Sequence, residues 1–129
     1  MDIIEMKLAG ERIAITLYRA VGSWTKTRHI SAGEAFALSL LLTSEAQEQA
    51  LNFEVDAGVS LQIENRPYDR AWLGIDDRYG GRKLVACLEG DLIREVGRCL
   101  RSLHITANNP SSPQSMTRTF RVEHCYLDE

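Results

Sequence analysis

Residues 91–103 read DLIREVGRCLRSL, and their spacing predicts a helix with two chemically different sides. At 100° per residue, apolar side chains fall on one side and arginines on the opposite side. The apolar side needs a sheet or a second helix to cover it, whereas the arginine side is available to water or to an anionic partner. The apolar set is Leu92, Val96, Cys99, Leu100 and Leu103, and the basic set is Arg94, Arg98 and Arg101.

Alternation of apolar and polar residues predicts strands on both sides of this helix. Gly80-Gly81 tolerates the positive φ angles of a tight hairpin, and Asp91 is the predicted cap of the helix. The stretch from 107 to 115 is rich in Asn, Pro and Ser and predicts a loop. The strand segments are 4–8, 13–17, 24–30, 59–63, 72–76, 83–88 and 117–122.

The segment that follows residue 30 supports two interpretations. Ser31 and Glu34 have the spacing of a capping box, and Ala, Leu, Glu and Gln dominate as far as Leu51, which predicts a helix from about Ala32 to Leu51. Strict alternation over residues 36–42 is instead typical of a strand, which a short helix capped by Ser44 would follow. We favour the helix.

The predicted elements give the approximate order βββαβββαβ. This order indicates a single α+β domain over residues 1–129, built from an antiparallel sheet of about six or seven strands and two helices. The simplest arrangement places both helices on one face of the sheet, because this covers both apolar stripes.

Composition narrows the class of protein. The chain has 129 residues, 44% of them hydrophobic and 26% charged, which is ordinary for a soluble globular protein. A net charge of −3 disfavours a general nucleic-acid binder, since such binding needs positive charge to displace counterions. The acidic N-terminal residues do not resemble a signal peptide, and no apolar run could span a bilayer. Three cysteines without a framework spacing fit a reducing compartment, so we expect a cytoplasmic protein without a membrane partner.

The sequence assigns no catalytic residue, metal ligand or cofactor. The three histidines are scattered, and neither they nor the cysteines have the spacing of a metal site or a nucleophile–base pair. Cys87 and Cys99 are expected to be buried structural residues. Asp76 and Asp77 precede a Gly-Gly turn, where aspartate commonly makes local hydrogen bonds. The sequence therefore favours a non-enzymatic protein. The alternative is an enzyme whose site is assembled in three dimensions and involves His104 or Asp76 and Asp77.

The arginine side of the predicted helix is the main candidate binding surface. Arg94, Arg98 and Arg101, joined by Arg82 and Lys83 from the neighbouring hairpin, could offer guanidinium and ammonium donors to an acidic protein surface. We expect a small protein-binding module such as an inhibitor, an immunity or anti-defence protein, or an adaptor. A nucleic-acid or phosphate-ligand binder and, by size and acidity alone, a secretion-chaperone-like protein are alternatives. An ordinary solvated helix surface without a partner is a further alternative for the arginine side, and the sequence does not determine whether the chain forms homo-oligomers.

Overall fold

The computed structural model describes residues 1–43, 50–54, 59–66, 70–77, 82–109 and 115–128. These residues form nine strands and two α-helices, with a short 3-10 turn over Val21–Ser23. The elements in chain order are β1 (Asp2–Ala9), β2 (Arg12–Arg19), β3 (Trp24–Ile30), α1 (Ala32–Thr43), β4 (Ala50–Glu54), β5 (Val59–Arg66), β6 (Arg70–Asp77), β7 (Lys83–Glu89), α2 (Asp91–Ala107), β8 (Ser115–Val122) and β9 (His124–Asp128).

The strands form two antiparallel sheets, so the predicted α+β class is confirmed and the predicted order of elements is approximately right. Sheet A has the strand order β3-β2-β1-β8, and sheet B has the order β4-β5-β6-β7-β9. The structure differs from the prediction in having two sheets rather than one. It also has more strands, because β4 follows α1 and because the last predicted strand is followed by β9 after Glu123.

Helix α1 begins with the predicted capping box. The Ser31 amide donates to the Glu34 carboxylate at 2.9 Å, and the Glu34 amide donates to the Ser31 hydroxyl at 3.1 Å. The alternative strand over 36–42 is wrong, because these residues are helical and Leu40 is exposed while Leu38 and Leu42 are buried.

The predicted extension of α1 to Leu51 is also wrong. The helix ends at Thr43, and Ala50 and Leu51 belong to β4, where they pair with β5. Hydrogen bonding to a neighbouring strand outweighs the weak helix preference of such residues. Residues 44–49 lie outside the described part of the chain. So do the predicted hairpin tip at 80–81 and most of the predicted loop between 107 and 115.

The two helices pack directly against each other at Gly97. A Cβ atom at Gly97 would lie 2.8 Å from Thr43 Cγ2 and 3.1 Å from Leu42 Cβ, so only glycine fits this approach without displacement. Further along, His104 Nδ1 lies 2.9 Å from the Ala32 carbonyl oxygen, and its ring lies 4.8 Å from the ring of Phe36. Together these contacts fix the outer surface of the helix pair.

One hydrophobic core joins the sheets and the helices. Sheet A contributes the alternate apolar residues of β1 and β2 from which the sequence predicted these strands. Helices α1 and α2 and sheet B contribute most of the other core residues. Burial of this apolar area is the main favourable contribution to folding. The residues of β1 and β2 with no exposed area are Ile4, Met6, Leu8, Ile13, Ile15 and Leu17.

Arg28 is a charged residue within this buried layer. It is only 2% exposed, its Nε donates to the His29 carbonyl oxygen at 3.3 Å, and its Nη2 lies 3.7 Å from a Glu34 carboxylate oxygen. Burial lowers the pKa of the Arg28 guanidinium, whereas the negative charges of Glu34 and Asp76 oppose this shift. Glu34 thus has two roles, since it caps α1 and balances a buried charge.

Asp2 links the two sheets at one corner of the molecule. Its carboxylate accepts hydrogen bonds from the Ala20 amide at 2.9 Å, just after β2, and from the Cys125 amide at 2.8 Å, in β9. Partial burial by itself would raise the pKa of Asp2, but the two amide hydrogen bonds, the positive charge of the N-terminal amino group and His124 together outweigh it and lower the pKa below 3.8.

This geometry predicts an acid-dependent loss of stability. Because the pKa of Asp2 is lowered on folding, its stabilisation is present above its ordinary pKa and is lost as the pH falls through the folded value. We expect Asp2→Asn to lower the free energy of unfolding by about 1–2 kcal/mol at neutral pH, since the amide nitrogen would face a backbone donor. Urea denaturation between about pH 6 and about pH 3 measures this. A variant with the same acid dependence as the wild type would contradict the assignment.

Candidate functional site

Helix α2 presents the three predicted arginines to solvent. Its buried side packs into the core, and this leaves Arg94, Arg98 and Arg101 exposed on the other side. The predicted cap at Asp91 is wrong by one residue, because Gly90 occupies the N-cap position with φ of 59°, which favours glycine. The buried residues of α2 are Ile93, Val96, Gly97, Cys99, Leu100 and Leu103.

The three arginines differ in their partners. Arg94 Nη1 lies 3.4 Å from Asp91 Oδ1, in an exposed pair that stabilises the helix by a few tenths of a kcal/mol at most. Arg98 and Arg101 make no hydrogen bond or ion pair within the described ranges. Two of the three guanidinium groups therefore keep all their donors available for another molecule.

Exposed apolar side chains accompany these arginines. Ile105 is 57% exposed and follows Arg94, Arg98 and Arg101 on the same side of α2 at spacings of four, three and four residues. We call these four residues the arginine face. Leu40, which is 48% exposed, comes one residue after Ser39, whose carbonyl oxygen lies beside Gly97 at the helix contact. The outer surface of the helix pair therefore combines positive charge with apolar area.

A groove of about 500 Å³ lies between α2 and β8. Arg98 lines it from the helix and Arg118 from the strand, so each side of the groove contributes one arginine. Two hydroxyl side chains and a glutamate complete its polar lining, and Phe120 supplies an apolar wall. The lining residues are Glu95, Arg98, Cys99, Ser102, Arg118, Thr119 and Phe120.

Arg118 is a candidate site residue that sequence reasoning missed. It occupies the same strand phase as Met116, Phe120 and Val122 and pairs with Met6, which is fully buried. An arginine in the inward phase of an otherwise apolar pattern was the available signal, because such a charge must reach a partner or a solvent-filled space.

The cysteines are poor nucleophiles at this site and elsewhere. Burial raises the pKa of Cys99, and Arg118, which hydrogen-bonds its thiol, only partly offsets this. Burial also raises the pKa of Cys87, and burial together with Asp2 and Cys87 raises that of Cys125 to about 12. Cys99 and Cys125 are buried, and Cys87 is half-buried. A thiol protonated at neutral pH is weakly nucleophilic.

Arg82 and Lys83 lie apart from the arginine face along the chain. They stand at the start of β7, whereas α2 follows the end of that strand, about 20 Å further at 3.3 Å per residue. The Arg82 guanidinium carbon lies 5.9 Å from the centre of the Trp24 ring. Lys83 Cε lies 2.6 Å from where a Cβ of Gly74 would be. These contacts do not involve the arginine face, and the part of Arg82 and Lys83 in the binding surface stays a prediction.

Two of the residues suggested for an assembled catalytic site, His104 and Asp76, do not line the groove. His104 contacts α1 and Asp76 lies on β6, and the side chain of Asp77 is outside the described part. Within the described ranges, no three His, Cys, Asp or Glu side chains converge to hold a metal ion. Neither described helix has the length and apolarity required to cross a membrane.

Comparison of the chain with protein-family models, curated protein sequences and solved structures found no match.

Proposed function

We propose that this chain is a small protein-binding module without catalytic activity, which recognises an acidic partner surface through the arginine face. Inhibitors, immunity and anti-defence proteins and adaptors are proteins of this kind. The observation that carries the proposal is that Arg98 and Arg101 have no ionic partner among the described residues and lie beside exposed Ile105. Protein interfaces are enriched in arginine, and their binding energy is concentrated in arginine and large apolar side chains.

The overall charge supports a protein partner rather than duplex nucleic acid. At a net charge of −3, long-range attraction to a polyanion is weak, whereas a local basic surface can still select an acidic patch. Three free cysteines support placing this function in a reducing compartment such as the cytoplasm.

Binding of a phosphate-bearing ligand is the second candidate, favoured by the guanidinium groups of Arg98 and Arg118 on opposite sides of one groove. This function predicts steeply salt-dependent retention on a heparin column. Elution at low ionic strength without retention would exclude it.

Charge reversal of the arginine face tests the leading proposal. We expect Arg98→Glu with Arg101→Glu to reduce the binding of an affinity-captured partner by roughly tenfold or more, because removal of charge-assisted contacts costs a few kcal/mol. The partner is captured from the native host, identified by mass spectrometry, purified and titrated against each variant.

The matched control is Lys7→Glu with Arg12→Glu, which makes the same change in net charge at two exposed residues of β1 and β2. Circular dichroism and thermal unfolding check that both variants stay folded. If the two variants bind the partner with equal affinity, the arginine face is not the binding surface.

A further inference from the structure

Strand β8 leaves one of its edges open in the described structure. It is the last strand of sheet A and pairs with β1 over its full length, from Asp2 opposite Val122 to Ala9 opposite Ser115. No described strand pairs with its other side. In an antiparallel ladder, alternate residues direct their N–H and C=O groups away from the neighbour. An open edge of eight residues is therefore a template for another strand.

The groove follows this edge rather than one face of the sheet. Three consecutive residues of β8, from Arg118 to Phe120, line it. Successive side chains of a strand point to opposite faces, so a cavity that touches all three must run along the side of the strand. Helix α2 forms the opposite wall, to which Arg98 and Ser102 contribute.

We propose that this groove is a strand-addition site for an extended, acidic segment of a protein partner. The segment pairs its backbone with the open edge of β8. Its carboxylates meet Arg98 and Arg118, and its apolar side chains contact Phe120. Backbone hydrogen bonds supply affinity in such complexes, and alternate side chains supply specificity.

Charge complementarity selects this occupant over a second copy of β8. Each β8 carries Arg118 and Arg121, so pairing two copies would bring four guanidinium groups together at one junction. Positive side chains on edge strands oppose self-association for this reason. An acidic strand relieves the same repulsion and gains charge-assisted hydrogen bonds.

This inference rests on the proposed function and specifies the form of the partner, but it places the contact at Arg118 rather than on the outer side of α2. The two are separable because Arg118 borders only the groove and Arg101 belongs only to the arginine face, whereas Arg98 belongs to both.

Amide-resolved NMR titration with a model peptide tests the proposal. The probe is a capped octapeptide of alternating glutamate and valine, and the control is its glutamine counterpart, which has the same backbone donors and acceptors. We expect the acidic peptide to shift and protect amides within Ser115–Val122 and the control to bind much more weakly. Arg118→Glu should weaken the acidic peptide roughly tenfold, and Arg101→Glu less than about twofold.

Each outcome decides between the two surfaces. Peptide shifts confined to the outer side of α2 would overturn the strand-addition site while supporting the arginine face. Equal binding of the two peptides, or no shift along β8, would also overturn it. If Arg118→Gln also weakens the binding of the acidic peptide along β8, the strand-addition site is supported by a variant that removes the positive charge without reversing it. Spectral dispersion of each variant verifies that it is folded.

Discussion

Glu34→Gln is expected to lower the free energy of unfolding by about 3 kcal/mol, because it removes a negative charge from beside the buried Arg28 guanidinium. The Arg28 side chain is almost entirely inaccessible, and Glu34 lies 3.7 Å from it. Removing Glu34 leaves the Arg28 charge less well compensated in a medium of low polarity, because only part of the nearby negative charge, that of Asp76, then remains. Chemical denaturation at neutral pH measures the change.

Glutamine is the informative replacement because it also occurs at this position of a capping box, so the cap on α1 is preserved. Glu34→Ala should cost about 1 kcal/mol more, since it removes the cap as well. Arg28→Met combined with Glu34→Gln should recover most of the loss, because an apolar side chain of similar volume suits the site. If Glu34→Gln is as stable as the wild type, the pair contributes nothing to stability.

Gly97→Val should destabilise the protein by about 3 kcal/mol, because it places a branched side chain where the two helices touch. Its Cβ would meet Thr43 Cγ2 at 2.8 Å and Leu42 Cβ at 3.1 Å, and the backbone of Ser39 follows at 3.6 Å. The helices would have to separate, which opens the core beneath them. The denaturant midpoint and the thermal transition both measure this loss.

Two further variants isolate the helix contact. Gly33→Ala adds a methyl group to α1 at a position where the nearest atom is 3.9 Å away, so it should stabilise by about 1 kcal/mol through helix propensity. Thr43→Ser removes Cγ2 but keeps the hydroxyl, which donates to the Ser39 carbonyl oxygen at 2.7 Å. It should therefore partly rescue Gly97→Ala. The absence of rescue would show that Thr43 does not limit the approach.

The sequence predicted correctly those helices and strands in which the spacing of apolar residues matches the spacing of buried positions. Helix α2 has a clear apolar side, and β1 and β2 alternate strictly, so each specifies which side faces the core. The end of α1 could not be predicted in the same way. Ala50 and Leu51 adopt a strand because β5 lies beside them, and that pairing is a property of the folded chain.

The candidate site was predictable only in part for a related reason. The helical spacing of Arg94, Arg98 and Arg101 is enough to predict that they face outward. The groove, however, depends on how α2 packs beside β8, and the spacing of residues within either element does not determine that packing. Arg118 therefore joins Arg98 only in three dimensions. The burial of Arg28 could not be predicted from local spacing either, because the negative charges near it lie on other elements, Glu34 on α1 and Asp76 on β6.

The position of β1 between β2 and β8 has a consequence for synthesis. A ribosome releases β1 and its hairpin partner well before β8, the strand that pairs with the other edge of β1, because β3 to β7 and both helices lie between them in the chain. Pairings between segments so distant in sequence form slowly. The nascent chain therefore carries β1 with one unpaired edge while the intervening residues are made, and a product that terminates before Ser115 keeps that edge unpaired, which favours its aggregation.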